Sequence, residues 1–452
     1  MKSINPANGK TLQEYDDHSE QDCNRIIDRV YDTWQFWKQS SFTERSVFLN
    51  QAAKTLHRHK KEYGRLITDE MGKVVRESEA EIEKCAWVCE YYAAHAEDIL
   101  SDEYLESDAS DSFVSFDPLG PVLAVMPWNF PFWQVFRFAA PALMAGNAAL
   151  LKHASNVPGC ALAIESIFRE SGFPENLFRS LLIPGRAVDN VLKNDKVVAA
   201  TLTGSEHSGS KVAEMAGKLL KKTVLELGGS DPYIVLEDAD LAKCAETAVA
   251  ARMINTGQSC IAAKRFIVVK EVIDEFTDKV LQRMKAIKVG NPVEEGSDYG
   301  PMARLDLLEE LDEQVQKSVN MGAKLLLGGK RMDREGYFYE PTVLAAVTPE
   351  MPAFKEETFG PVLSIIQVEN EAEAIEAANN SRFGLGGSLW TQDKERGILA
   401  ARQVQSGAVF VNGMTKSDPR LPFGGIKKSG YGRELSHYGI KEFVNIKTIW
   451  VA

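Results

Sequence analysis

The segment Asn255-Thr-Gly-Gln-Ser-Cys260 places a cysteine at the end of a short, polar turn that contains a glycine. A helix-like segment at 239–254 precedes the turn, and a strand-like run at 266–269 follows it. A thiol on a tight loop of a rigid scaffold is placed where catalytic groups tend to lie. Cys260 is therefore a candidate nucleophile, although a free cysteine is also commonly a small buried hydrophobe.

Two further stretches carry groups that a thiol nucleophile needs. Asn129, in Met126-Pro-Trp-Asn-Phe-Pro131, offers a side-chain amide in a stiff turn, where it could stabilise an oxyanion. Glu226, in Leu225-Glu-Leu-Gly-Gly229, lies between leucines, and burial there would raise the pKa of its carboxyl toward that of a general base. Together these groups predict thiolate attack on a carbonyl, then base-assisted hydrolysis. A turn-forming asparagine and an edge glutamate are the plainer alternatives.

A candidate phosphate site follows another predicted strand. Thr203-Gly204-Ser205 opens a helix, and the backbone N–H groups of a helix N-terminus suit a phosphate. The alternative is a simple serine helix cap. No G-x-G-x-x-G fingerprint follows a strand, and 204–211 has the wrong residue order for a P-loop. We found no metal-binding pattern and predict no metal, because Cys85 and Cys89 have helical rather than zinc-ligand spacing.

These residues lie on a pattern of alternating strands and helices. Apolar positions recur at helical spacing through 19–100, and from residue 122 onward short apolar strands alternate with helices. This alternation predicts an α/β protein with parallel sheets covered by helices on both faces. Two such units would meet near Gly228-Gly229.

Composition restricts the functional classes. A chain of 452 residues predicts about two to four domains. The formal net charge of −12 argues against nucleic acid or an anionic membrane as a main partner. Six scattered cysteines fit a reducing compartment, and neither a signal peptide nor a membrane-length apolar run is present. We therefore expect a cytoplasmic location.

Five stretches together resemble the aldehyde dehydrogenase superfamily, in its order and roughly its spacing. They are PWNFP at 127–131, LELGG at 225–229, NTGQSC at 255–260, EETFGPV at 356–362 and PFGGIKKSGYGRE at 422–434. The resemblance implies two parallel-sheet α/β domains plus a small β oligomerisation arm that pairs subunits into a homodimer or homotetramer. Its expected limits are 1–100 and 118–228 for the cofactor-binding domain, 229–425 for the catalytic domain, and 101–117 with 437–452 for the arm.

The resemblance also implies roles for the site residues. Cys260 would form a thiohemiacetal and then a thioester, Asn129 would hold the oxyanion, and Glu226 would activate the hydrolytic water. Glu434 matches a position near the family's proton path. NAD or NADP would bind through positions that match the family's cofactor contacts: Met126, Pro127, Trp128, Lys152, Ser155, Gly185, Ser205, Leu227, Glu357 and Phe359.

One departure concerns the choice of cofactor. Many NAD-preferring members of the family have a glutamate three residues after the strand-end lysine, where it binds the ribose 2′-hydroxyl and repels a 2′-phosphate. Here Ser155 stands three residues after Lys152. We therefore predict that NADP is tolerated, and a preference for NADP over NAD stays open.

The substrate prediction depends on Arg137. The chain resembles most the compact bacterial NAD(P)-dependent succinate-semialdehyde dehydrogenases, in which an arginine at this position binds the substrate's distal carboxylate. The alternative is an ion-paired helix arginine. Ile254 occupies the position of that group's second arginine, and four residues could compensate: Arg252, Arg265, Lys416 and Arg420.

Other substrates remain open. Phe132 and Trp133 could line an apolar tunnel, which would suit an uncharged aliphatic or aromatic aldehyde, and glutarate semialdehyde is a further alternative. A CoA-acylating enzyme is disfavoured because Glu226 supplies a hydrolytic base. A binding relative without turnover is disfavoured because Asn129, Glu226 and Cys260 are all present.

Overall fold

The computed structural model describes residues 1–452 and begins with a hairpin and a layer of helices. The hairpin and helices are β1 (Lys2–Asn5), β2 (Lys10–Glu14), α1 (Glu20–Trp37), α2 (Phe42–Arg58), α3 (Lys60–Met71) and α4 (Val75–Ile99). Ser19 and Ser41 start α1 and α2 with capping boxes, in which each serine and an acid three residues later bond to each other's backbone N–H. Two antiparallel strands follow, β3 (Glu103–Tyr104) and β4 (Asp111–Pro118).

The first sheet is parallel and alternates with helices. Its elements are β5 (Pro121–Met126), α5 (Trp133–Met144), β6 (Ala148–His153), α6 (Pro158–Glu170), β7 (Phe178–Ser180), α7 (Val188–Lys193), β8 (Ala199–Thr203), α8 (Glu206–Lys218) and β9 (Lys222–Glu226). The strand order is β9-β8-β5-β6-β7, so the chain reverses direction across the sheet between β5 and β8. Ligands of open α/β sheets bind at the carboxyl ends of the strands beside such a reversal.

The second sheet starts directly after Gly228-Gly229. Its elements are β10 (Asp231–Val235), α9 (Leu241–Met253), β11 (Ala263–Val269), α10 (Ile273–Ala286), α11 (Leu305–Asn320), β12 (Lys324–Leu327), β13 (Thr342–Ala345), α12 (Pro352–Lys355), β14 (Val362–Val368), α13 (Glu371–Asn379), β15 (Ser388–Trp390), α14 (Lys394–Ala401) and β16 (Phe410–Val411). The order is β12-β13-β14-β11-β10-β15-β16, and only β12 runs antiparallel. Two parallel-sheet units confirm the predicted α/β fold class.

The end of the chain returns to the first sheet and to β4. Its elements are β17 (Gly430–Tyr431), α15 (Ser436–Ile440) and β18 (Val444–Val451). β17 pairs antiparallel with β9, and β18 pairs with β4 along eight residues. Ile446 and Trp450 on β18 are 61% and 53% exposed, so one face of the three-stranded arm is uncovered. The arm's role in oligomerisation and the residue limits of the domains remain predictions.

Hydrophobic packing divides in the same way as the sheets. One large core joins the helical layer to the first sheet, and two smaller cores cover the two faces of the second sheet. None of the helices combines the length and apolar character that crossing a bilayer requires.

Candidate active site

Residues 254–260 carry the predicted nucleophile and are called the catalytic loop for that predicted role. This segment has an unusual backbone conformation between α9 and β11. Asn255, Thr256 and Gly257 follow one another with φ of 52°, 58° and 74°, in the left-handed region. A Cβ on Gly257 would lie 2.2 Å from the carbonyl oxygen of Gly360, so only glycine allows this close approach. The turn presents Cys260 in a partly exposed position three residues before β11.

Arg252 anchors this loop through hydrogen bonds to main-chain carbonyl oxygens. Its guanidinium is buried and donates to the carbonyl oxygens of Ala263, at 3.0 Å, Thr358, at 3.3 Å, and Gly257. Five donors in a rigid fork suit several main-chain acceptors at once. Because the guanidinium is used within the protein, Arg252 does not serve as the second carboxylate-binding arginine.

Asn129 is brought directly to the catalytic loop. Its Nδ2 donates to the carbonyl oxygen of Gln258 at 3.1 Å, and Asn255 Nδ2 donates to the carbonyl oxygens of Asn129, at 2.7 Å, and Gln258, at 3.1 Å. One of the two amide N–H groups of Asn129 is thereby occupied and the other is left for a ligand. The structure therefore places the predicted oxyanion donor beside the segment that carries Cys260.

Lys264 supports the loop from the other side, a role that the sequence did not reveal. Its buried ammonium donates to the carbonyl oxygens of Ser259, at 2.8 Å, and Cys260, at 2.7 Å, and lies 3.3 Å from Glu357 Oε1. Glu357 Oε1 also accepts from the Gly229 backbone N–H at 3.0 Å. This chain of contacts links the predicted nicotinamide-ribose ligand to the loop of the nucleophile.

The Cys260 thiol is protonated in this environment. Burial raises its pKa to about 12, while the positive charges of Lys264 and Arg137 oppose that effect. The thiolate is the nucleophilic form, so a base or a bound ligand must favour loss of the proton.

Glu226 is buried at the end of β9, and its carboxyl is unpaired. The residue is 2% exposed, and neither carboxylate oxygen has a hydrogen-bond partner in the protein. Burial raises the pKa of Glu226 well above its usual range, and the nearby Glu434 carboxylate raises it further, whereas Arg137 lowers it. An unpaired carboxyl with a raised pKa is the expected form of a general base that works through water.

Arg137 is committed to a buried ion pair. Its guanidinium pairs with Glu434, lies 4.6 Å from the centroid of the Phe423 ring and donates to Thr203 Oγ1 at 3.4 Å. The geometry thus shows the ion-paired arginine that was the alternative to a substrate role. The carboxylate-binding role of Arg137 stays a prediction, and in it a substrate would have to share the guanidinium with Glu434.

The two predicted tunnel residues lie in different surroundings. Phe132 is fully buried, and its ring centroid is 5.5 Å from that of Tyr63 in the helical layer. Trp133 instead donates its indole N–H to Ser417 Oγ at 3.1 Å. Glu81 Oε1 accepts from both backbone N–H groups and fixes the start of α5. Of the pair, only Trp133 contacts the loop around residue 417.

The predicted cofactor residues gather at the carboxyl edge of the first sheet. Met126 ends β5, Lys152 is near the end of β6, Ser205 caps α8 after β8, and Leu227 follows β9. Pro127 and Trp128 follow β5 directly. The rings of Trp128 and Phe359 meet edge to face, with centroids 5.8 Å apart. This is the edge at which the strand order reverses.

Three observations at this edge fit a dinucleotide. Lys152 is buried, and its pKa is lowered by burial with no charged neighbour to oppose it, so its amine awaits an anionic or polar partner. A Cβ on Gly209 would lie 2.5 Å from Leu227, so glycine lets this leucine cover the first turn of α8. Ser155 and Gly185 are exposed, and no atom lies within 4 Å of where a Cβ on Gly185 would be.

Comparison with known proteins agrees with this geometry. The profile of the aldehyde dehydrogenase family matches residues 1–449, and the chain belongs to that family. A probable NADP(+)-dependent succinate-semialdehyde dehydrogenase of Synechocystis sp. is 52% identical over 452 residues, which cover 100% of both chains. An NADP(+)-dependent succinate-semialdehyde dehydrogenase of Mycobacterium tuberculosis is 47% identical over 455 residues, again across 100% of both chains.

A solved structure extends this similarity to three dimensions. The succinic semialdehyde dehydrogenase of Streptococcus pyogenes, solved in complex with NADP+, superposes with a TM-score of 0.98 at 36% identity. The match covers 100% of this chain and 99% of that chain. The predicted resemblance to aldehyde dehydrogenases is confirmed.

Proposed function

We propose that this protein oxidises succinic semialdehyde to succinate and that it accepts NADP as well as NAD. The observation that carries the proposal is the hydrogen bond from Asn129 to the Gln258 carbonyl oxygen on the Cys260 loop. The same loop packs against Gly229, because a Cβ there would lie 2.7 Å from the Cys260 carbonyl oxygen, and the unpaired Glu226 is three residues before Gly229. The substrate is supported by the names and full-length similarity of the relatives from Synechocystis sp. and Mycobacterium tuberculosis.

In the proposed reaction, the Cys260 thiol first loses its proton to solvent. The thiolate sulfur then bonds to the aldehyde carbon, the C=O π bond breaks, and the carbonyl oxygen becomes an oxyanion. The free N–H of the Asn129 amide and the Cys260 backbone N–H stabilise that charge. NAD or NADP, held by Lys152, Ser205 and Glu357, would supply the acceptor for the hydride that leaves the same carbon, and Cys260 would then carry a thioester. Glu226 then removes a proton from water, the water oxygen attacks the thioester, and cleavage of the C–S bond restores the thiol.

The cofactor would lie along the carboxyl edge of the first sheet. Lys152 and Ser155 would face the adenosine ribose, Ser205 the phosphates, and Glu357 the nicotinamide ribose. Because Ser155 carries no negative charge, it does not repel a 2′-phosphate. The Streptococcus pyogenes structure with NADP+ supports the same choice of cofactor.

Assembly and location form part of the proposal. The exposed face of the β3-β4-β18 arm supports a homodimer or homotetramer joined through that arm. All six cysteines are free, which supports a reducing compartment such as the cytoplasm.

A second substrate class is kept by one observation. Arg137, which the sequence predicted as the ligand of a distal carboxylate, is paired with Glu434 instead. An uncharged aldehyde, or the longer glutarate semialdehyde, therefore stays the competing candidate.

The deciding experiment is a panel of kcat/KM values for aldehydes of about three to six carbons, with and without a terminal carboxylate, measured with both cofactors. We expect succinic semialdehyde to exceed butanal by at least about tenfold, because one well-placed polar contact discriminates to that extent. Cys260→Ala should release no NADPH with any aldehyde. If butanal gave the highest kcat/KM of the panel, the proposed substrate would be contradicted, whereas the proposed chemistry at Cys260 would not be affected.

A further inference from the structure

Lys84, on α4, is a part-buried lysine that the proposed reaction does not use. Its Nζ donates to Ser417 Oγ at 2.7 Å and lies 4.3 Å from the centroid of the Trp133 ring. Trp133 Nε1 donates to the same hydroxyl. We call Lys84, Trp133 and Ser417 the Lys84 cluster. Its ammonium has three donors, of which the protein occupies one.

The cluster carries positive charge without a paired carboxylate. The nearest acids are Glu81, which pairs with Lys73 and accepts the N–H groups that start α5, and Asp418, which accepts from Arg420 at 2.7 and 2.8 Å. Neither acid forms an ion pair with Lys84. Burial lowers the pKa of Lys84 to about 8, and the neighbouring charge of Arg137 adds to that effect. A part-buried ammonium in this state gains free energy from an added anion.

The cluster is near the reacting groups. Trp133 begins α5 only four residues after Asn129, whose amide contacts the catalytic loop. The charge of Arg137, one helical turn beyond Trp133, lowers the pKa of both the Cys260 thiol and the Lys84 amine. The short segment 129–133 thus joins the cluster, through Trp133, to the residue whose amide contacts the loop of Cys260.

The other candidate cations are engaged elsewhere. Arg252 and Arg265 are buried and bind main-chain carbonyl oxygens, and Arg420 is exposed and bound to Asp418. Lys416 is exposed. Arg137 is held by Glu434.

We propose that Lys84, positioned by Ser417 over the Trp133 ring, binds the distal carboxylate of the aldehyde substrate and sets the enzyme's preference for acidic aldehydes. This inference rests on the proposed oxidation of succinic semialdehyde. It assigns recognition of the carboxylate to a helix residue 176 positions before Cys260.

The test compares Lys84→Met with the wild-type enzyme on succinic semialdehyde and butanal. Loss of a charge-assisted hydrogen bond should raise KM for succinic semialdehyde about 10- to 100-fold, with kcat changed less than about threefold. The change in KM for butanal should be at least tenfold smaller. Lys84→Arg keeps the charge and should recover part of the preference, and Lys61→Met, at an exposed lysine on α3, should match the wild type with both substrates.

A pH series supplies a second readout that loss of packing would not produce. Only the charged amine binds a carboxylate, so the ratio of kcat/KM for succinic semialdehyde to that for butanal should fall as pH rises through about 8. Groups required with both substrates cancel in this ratio. The charged and titratable groups facing Lys84 are Arg137, Glu81, Cys85 and Asp418. In Lys84→Met the ratio should be low and flat with pH.

Failure of the proposed substrate and failure of the proposed role of Lys84 give different results. If the wild type shows no preference for succinic semialdehyde, the proposed substrate fails before any variant is considered, and the inference fails with it. If the wild type shows the preference and Lys84→Met retains it, the role of Lys84 is overturned while the proposed substrate stands. Equal effects of Lys84→Met on both aldehydes would also overturn the inference, and melting temperatures identify a variant that has merely lost its fold.

Discussion

The catalytic loop differs from the carboxyl edge of the first sheet in what its side chains bind. We call that edge, which carries Lys152, Ser155 and Ser205, the cofactor edge for its predicted role. Around the loop, Arg252, Asn255 and Lys264 donate hydrogen bonds to main-chain carbonyl oxygens of the protein itself. At the edge, Lys152 has no charged partner and Ser155 is exposed. The position of the loop is fixed by hydrogen bonds within the protein, whereas the edge leaves its polar groups available for a ligand.

This difference follows from the two predicted tasks, which are to hold a nucleophile in place and to bind a cofactor. A nucleophile must be held within a fraction of an ångström of its productive position, so its support is built before substrate arrives. A binding edge gains affinity when polar groups that lack protein partners meet the ligand's own groups. Changes in the loop should therefore affect folding and turnover together, and changes at the edge should affect cofactor selection alone.

Gly257→Ala should have the largest effect. The added Cβ meets the Gly360 carbonyl oxygen and must adopt a left-handed φ, so we expect a loss of about 2–4 kcal/mol in stability and activity below about a thousandth of the wild type. Thermal unfolding and kcat/KM measure both. Gly296→Ala, where the Cβ meets open space, is the matched control. Normal activity in Gly257→Ala would show that the loop tolerates rearrangement.

Glu226→Gln should reduce turnover without loosening the fold. Glutamine has nearly the same shape as glutamate, and the buried Glu226 carboxyl forms no hydrogen bond within the protein, so the melting temperature should change little. Loss of the general base should lower kcat about 100- to 1,000-fold. Rapid mixing should show one equivalent of NADPH per subunit, then slow turnover as the thioester accumulates. A variant without that initial burst would place the role of Glu226 before hydride transfer.

The reactivity of Cys260 should depend steeply on pH in the ligand-free enzyme. With its pKa raised to about 12, the thiol is protonated at pH 7, and the thiolate fraction grows about tenfold for each pH unit. Alkylation by iodoacetamide should therefore accelerate about 100-fold between pH 7 and pH 9. Cys260→Ala identifies the signal of this thiol. A plateau below pH 8 would mean that the loop activates the thiol more strongly than burial suppresses it.

Ser155→Glu should have the smallest effect, confined to the cofactor edge. A carboxylate there repels a 2′-phosphate, so the NADP/NAD ratio of kcat/KM should fall about tenfold. The melting temperature should be that of the wild type, because Ser155 is exposed. Ser155→Ala serves as the uncharged control, and an unchanged ratio in Ser155→Glu would contradict the assignment of this edge to the adenosine ribose.

Sequence patterns predicted well what depends on neighbouring residues. The alternation of strands and helices predicted the parallel sheets, which the structure confirms. Short motifs selected Asn129, Glu226 and Cys260, whose catalytic roles stay predictions. The sequence did not reveal β7 and β13, because runs of three and four residues carry little periodicity. It also missed the hairpin at 2–14, whose polar strands are largely exposed.

Contacts between distant segments were beyond prediction. The positive charge of Arg252 made it a candidate ligand for a substrate carboxylate. Only the packed structure shows that its N–H groups bind the carbonyl oxygens of Ala263, Gly257 and Thr358. Lys84 looked like any other lysine on a charged helix, since its neighbours Trp133 and Ser417 are 49 and 333 positions away. The pairing of Arg137 with Glu434 likewise joins residues that are 297 positions apart.

The placement of β17 and β18 has a consequence for synthesis of the protein in the cell. Ser429 donates to the Gly228 carbonyl oxygen at 2.7 Å, β17 completes the edge beside Glu226, and β18 pairs with β4, more than 320 positions earlier. A ribosome has made Cys260, Glu226 and Asn129 long before these last strands emerge. The nascent chain must therefore keep β4 and the edge of β9 from other partners until β17 and β18 have been made.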